Sequence, residues 1–237
     1  VIHHNKSLKK YVMKQSIQPI INWQHLPLDY AGSPLETVFY QSLSVLFKGG
    51  ESFFCRSLQT YRKDLPYLTP LINDFCKQEI DHSRIHQMLN SNGSGKEWNK
   101  AMKIEHSVDM LLRKLSKALP RDVTLVVTVV LENVTASLGR LLLDDYELYS
   151  RLSPEAMKLW HYHSEDEVAH EHVALDVFKA ASVPDELLIV LAPIVQAALI
   201  AVLLKVNIQL AVERKSFKGV VGWCRLAKKF TSVMRLI

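Results

Sequence analysis

Cysteine, glycine and proline are scarce in this 237-residue chain, at three, eight and nine. So little glycine and proline cannot supply the frequent turns of a sandwich or barrel, which argues against an all-β fold. Cys55, Cys76 and Cys224 cannot all pair within one chain. A disulfide framework is therefore not expected, and reduced thiols point to a cytoplasmic location. The first ten residues, VIHHNKSLKK, are basic and polar and lack the apolar run of a signal peptide. No helix concentrates Arg and Lys on one face beside exposed aromatics, so nucleic acid is not an expected partner. Solenoid repeats and low-complexity runs are also missing.

What remains is an ordinary globular balance, 48% apolar and 22% charged, in a length that suits one domain with a sizeable core. The pattern predicts an all-α chain. An irregular arm occupies 1–34, with Pro19, Pro27 and Pro34. Helices are expected over 35–60, 69–89, 97–118, 123–148, 153–181 and 185–214. Ser153 caps the fifth of these, with Pro154 in its first turn. VTLVVTVV at 123–130 has the β-branched composition of a strand, yet a lone strand would have nothing to pair with. The stretch 187–204 is apolar except for Gln196, near the length of a membrane span. With Pro193 inside and Lys205 after it, it reads first as a core or dimer-interface helix and second as a membrane-embedded one. The formal charge of +5 owes much to Lys215, Lys218, Arg225, Lys228, Lys229 and Arg235 in the tail. Such a tail is a solvated surface in the simplest case and a contact for nucleic acid or anionic membrane in the other.

Chemistry concentrates in two copies of Glu-x-x-His: Glu79 with His82 on the second helix, and Glu167 with His170 on the fifth. Residues three apart share a helix face, so each pair offers a carboxylate and an imidazole to one point. A single copy is weak evidence. Two copies gain weight because a lone glutamate in apolar surroundings stands on the helix before each: Glu51, then Glu132. An unpartnered carboxylate is costly to bury there. The order Glu, Glu-x-x-His, Glu, Glu-x-x-His on four helices is that of di-iron and di-manganese carboxylate bundles. Counting about 100° per residue from His163, Glu167 falls at about 40° and His170 at about −20°, while His161 and His172 fall at about 160° and 180°. His163 therefore faces the metals, and the other two face away. His86, on the stripe of Glu79 and His82, is left between an additional ligand and a supporting role. Asp166 is placed to accept the free N–H of a metal-bound histidine. Cys55 and Cys76 lie near Glu51 and Glu79 in sequence but read first as small buried hydrophobes.

On these residues the sequence resembles the ferritin-like di-iron carboxylate superfamily over about residues 36–180. His163, Glu167 and His170 form a His-x-x-x-Glu-x-x-His that is similar to the arylamine N-oxygenases, which implies that the added histidine ligates one iron. The wider stretch Tyr162-His163-Ser164-Glu165-Asp166-Glu167-Val168-Ala169-His170 looks like the bacterial family of predicted metal-dependent hydrolases, whose pattern is roughly Trp-His-x-x-Glu-Glu-x-Glu-His. Tyr162, Asp166 and Ala169 depart from that pattern, at no metal-facing position.

The expectation is a ferritin-like four-helix bundle over 35–182, with an apolar helix and basic tail over 183–237 packed on it. Glu51, Glu79, His82, Glu132, His163, Glu167 and His170 are expected to hold two iron ions, with manganese as the alternative. The expected activity is oxidation of an organic, hydrophobic small molecule with O2. Metal-dependent hydrolysis is the runner-up and non-catalytic iron handling the third reading. Expected partners are a second copy of the chain and, through the apolar helix, a membrane surface.

Overall fold

The computed structural model describes residues 17–92 and 96–215. The basic tail beyond Lys215, Cys224 and the start of the arm lie outside the described residues. Seven α-helices appear among them: α1 (Pro34–Gln59), α2 (Thr69–Ser91), α3 (Lys96–Ala118), α4 (Arg121–Asp144), α5 (Tyr146–Ser150), α6 (Pro154–Ala180) and α7 (Asp185–Glu213). There is no strand among the described residues, and the fold is an all-α bundle.

Local chemistry sets most of the boundaries. Ser33 caps α1 from an extended backbone: its hydroxyl accepts from the Glu36 N–H at 3.3 Å and donates to the Glu36 carboxylate at 2.7 Å. Prolines open α1, α2 and α6 within their first turns. Ser153 stands at the cap position of α6, but its hydroxyl makes no cap bond there; its backbone N–H donates to the Tyr30 carbonyl instead. The β-branched run 123–130 is helical, because Leu125, Val126, Val129 and Val130 all fall on a buried face of α4. The expected continuous helix 123–148 is broken. Asp145 leaves the helical region, and its carboxylate accepts from the Leu148 N–H at 3.1 Å, starting the short α5.

Helices α1 and α2 form one antiparallel pair, α4 and α6 another, and the two pairs close into the bundle. At Gly139 the second pair comes so close that a Cβ would meet the Ser164 carbonyl at 2.9 Å. Helix α3 leans on α1, and α7 on α4 and α1. The apolar core has two parts. One gathers Val38, Ile85, Leu142 and Trp160; the other Phe53, Ile72, Leu125 and Val177. Glu51, Glu79, Glu132 and Glu167 each fall, along their own helices, between a residue of one part and a residue of the other. The carboxylates thus form a polar waist between two dry halves.

Helix α7 is not a core helix in the monomer. Only 6% of its most apolar 18-residue stretch is buried, and its packed residues, such as Val206 and Leu210, sit near its C-terminal end. Ile189, Val190 and Ile194 are exposed.

Candidate metal centre

All four glutamates and the three histidines expected to face the metals are buried at this waist. Two sets of ligand atoms lie within 4.8 Å of one another: Glu51, His82, His163 and Glu167, and Glu79, His82, Glu167 and His170. Glu167 has two oxygens and can serve both sets; His82 has one nitrogen free and can serve only one. Glu132 belongs to neither set, but it is fully buried and feels the charges of Glu51, Glu79 and Glu167.

Hydrogen bonding shows what these groups lack. Glu51 Oε1, both oxygens of Glu79 and of Glu132, and Glu167 Oε2 have no partner, nor do His82 Nδ1, His163 Nε2 and His170 Nδ1. Each of the seven expected ligands therefore carries an orphaned atom, in a protein interior where buried polar groups are almost always satisfied. His170 Nδ1 and Glu79 Oε1 lie 2.6 Å apart, but without the direction a hydrogen bond needs. Two cations, one at each set, would give partners to the six residues of those sets, with Glu132 buried beside them. The donor set is oxygen and nitrogen only, which suits iron or manganese and lacks the thiolates of structural zinc.

Electrostatics agree. Burial pushes Glu51, Glu79 and Glu132 well above the usual carboxylate range, and the neighbouring carboxylates add to it. Burial holds His163 and His86 well below the usual imidazole range, helped by the charge of His82, and takes His170 down to about 4. His82 goes the other way. Burial opposes its charge, but the hydrogen bond to Asp166 and the nearby carboxylates of Glu167, Glu79 and Glu51 outweigh it and lift the imidazole well above its ordinary value.

The outward nitrogens are held by protein. His82 Nε2 meets Asp166 Oδ2 at 3.0 Å, the role expected of Asp166, though across to the opposite helix. His170 Nε2 meets Gln78 Oε1 at 2.8 Å. Each motif histidine is thus oriented by the residue that precedes the glutamate of the other motif. With Nε2 protonated toward oxygen, Nδ1 presents its lone pair inward. Ser83 donates to Glu51 Oε2 at 2.7 Å.

His163 is oriented by a longer chain. A carboxylate only accepts, so Asn90 donates its Nδ2–H to Glu105 Oε2 at 2.8 Å and its Oδ1 accepts from the Ser44 hydroxyl at 2.8 Å. Ser44 Oγ then accepts from His86 Nδ1–H at 2.9 Å. That leaves His86 Nε2 to accept from His163 Nδ1–H at 3.3 Å, and His163 Nε2 to face Glu167 Oε1 at 3.5 Å. Both nitrogens of His86 thus have protein partners, and His86 is in neither ligand set.

Of the remaining candidates, His161 pairs with Glu165 at the surface at 3.5 Å and His172 is exposed, as the helical angles require. Cys55 and Cys76 are free, buried among apolar neighbours and absent from both ligand sets. Sequence reasoning missed Gln78 and the chain Ser44–Asn90–Glu105. Aligning the two motifs flags Gln78, because it precedes Glu79 as Asp166 precedes Glu167.

A buried cluster of carboxylates and histidines, of the kind that holds two metals, defines this as a metal-dependent protein. The profile of the family described as predicted metal-dependent hydrolases matches residues 18–237, and the chain belongs to that family. Neither a curated protein nor a solved structure matches the chain.

Proposed function

We propose that the protein is a ferritin-like di-iron carboxylate oxidoreductase, active in the cytoplasm, that uses O2 to oxidise an organic, hydrophobic small molecule. The carrying observation is that all seven candidate side chains carry an orphaned buried atom, and that six of them fall into two sets with Glu167 and His82 in both. When bound, two iron ions would supply the redox capacity that the protein's own groups lack. The chain supplies the rest. Four carboxylates offset the ions' charge, and Asp166 and Gln78 hold His82 and His170 with Nδ1 inward. Phe47 and Phe75 pack on His163 and His170 at 4.4 and 4.8 Å and keep bulk water from them. Helix α7 offers a partner surface, for a second copy of the chain in this reading, with a membrane surface as the alternative.

Hydrolysis is the second reading, favoured by the description of the family. Against it, the cleft that reaches His163 has no charged side chain in its lining to bind an anionic ester or phosphate. Iron handling without catalysis is the third. The discriminating experiment is anaerobic Fe(II) loading followed by O2, monitored optically and with an oxygen electrode. Oxygen uptake and a new visible band support the oxidoreductase. Colourless, oxygen-indifferent protein that cleaves esters supports the hydrolase, and uptake of many irons per chain supports handling.

A further inference from the structure

One apolar cleft reaches the cluster of candidate ligands, and it is lined by α1, α4 and α6, with Leu148 of α5 added. Phe39, Tyr40, Leu43 and Phe47 line it from α1; Thr135, Leu138, Leu141 and Leu142 from α4; Trp160, His163 and Ser164 from α6. It encloses about 620 Å³ counting its open side. Along α1 it extends from Phe39 to Phe47, about 12 Å at 1.5 Å per residue, and along α4 from Leu142 back to Thr135, about 10 Å. Both walls run toward the ligands, since Phe47 lies one turn before Glu51 and Thr135 nearly one turn after Glu132. The cleft therefore runs lengthwise along α1 and α4, and it ends on the His163 imidazole.

Its chemistry changes along its length. The outer part is leucine and phenylalanine apart from Tyr40, whereas the hydroxyls of Thr135 and Ser164 join His163 at the inner end. Trp160, also in the wall, carries a buried indole N–H without an acceptor. No Lys, Arg, Asp or Glu is in the lining, so a charged headgroup has no partner there. Gly139 is in the wall as well and lets α4 approach α6 beside the inner end.

We infer that this cleft binds the unbranched alkyl chain of a neutral, medium-chain substrate, with its polar end at His163. The inference rests on the proposed function for the meaning of "substrate", but the binding itself needs no metal. The test titrates metal-free protein with 1-hexanol, 1-octanol and 1-decanol, and with adamantan-1-ol as a compact control, by calorimetry. One-to-one saturation is expected, tightening about fourfold per added methylene, the factor that burying a methylene brings. Leu138→Trp fills the inner half of the cleft and Leu141→Trp its mouth. Each is expected to weaken 1-decanol about tenfold by removing its space. Two variants guard against one failing to fold, and uptake of two metal ions by each variant reports an intact bundle. Absence of saturable binding, adamantan-1-ol binding as tightly as 1-decanol, or 1-decanol binding unchanged in both variants would overturn the inference. Metal uptake is read separately, so 1-decanol binding without metal binding would retain the cleft and sink the two-metal reading.

Discussion

Replacing His163 with alanine probes the candidate histidine ligand that stands outside both Glu-x-x-His motifs. The ring is buried and packs on Phe47 at 4.4 Å and Trp160 at 6.3 Å. Truncating a buried ring of that kind costs roughly 3–5 kcal/mol. Part of that is recovered in the metal-free protein, because the orphaned Nε2 disappears, and an unsatisfied buried group costs about 1–3 kcal/mol. The net expectation is a loss of about 2 kcal/mol, which leaves the fold standing. Metal binding suffers more. Removing the outer partner of a ligand already costs 10–100-fold in affinity, so removing the ligand should cost about 100-fold or more at one ion, roughly 3 kcal/mol. Chelator competition with Fe(II) or Mn(II) should show one tight and one weakened ion in His163→Ala. His86→Ala keeps the ligand but removes the acceptor of its Nδ1–H, and should weaken the same ion by about tenfold. His172→Ala, exposed on the far face, should change nothing. If His163→Ala binds two ions with unchanged affinity, His163 is a packing residue and the inward reading of its Nε2 is wrong.

Asp166→Asn should keep the fold and weaken metal binding about 10–100-fold, since an amide N–H can turn the His82 tautomer around; unchanged affinity would show that His82 does not use Nδ1. The metal-free protein should lose stability as pH rises above 6.5. His82 is lifted above that value and binds its proton more tightly in the folded state, so its contribution is full below 6.5 and lost through its raised pKa. Glu51, Glu79 and Glu132, raised likewise, act with the same sign from 4.5 upward. His170, held near 4, acts oppositely and only between about 4 and 6.5. Thermal unfolding of chelator-treated protein at several pH values checks this, and a flat or rising Tm above pH 6.5 would refute it. The exposed apolar face of α7 should be covered in solution. Light scattering and flotation with anionic vesicles test that, and a micromolar monomer without lipid affinity would contradict it.

Most helix boundaries were legible because capping residues and prolines declare them locally, as at Pro34, Pro154 and Asp185. The seven ligand candidates were legible for a similar reason: Glu-x-x-His is a local spacing, and a carboxylate in an apolar stretch stands out. The break at Asp145 was missed because the side-chain bond that starts α5 competes with helix continuation and leaves no compositional trace. The role of His86 was left open because it depends on Ser44, 42 residues away on another helix. Gln78, Asn90 and Glu105 acquire meaning only once α2, α3 and α6 are in contact. Helix α7 was read first as a core or interface helix; its composition could not tell a buried face from one left open in the monomer.

Metal stoichiometry tests the central claim most directly. The full chain, stripped with chelator and titrated anaerobically with Fe(II), is to be desalted and analysed for iron against protein concentration by amino-acid analysis. Seven inward ligand side chains with an orphaned atom on each exceed the needs of one ion. The account predicts a plateau at two irons per chain, with Glu167→Ala, which removes the side chain whose two oxygens can serve both sets, lowering occupancy of both. A plateau at one ion per chain, or no retained iron at all, would contradict it.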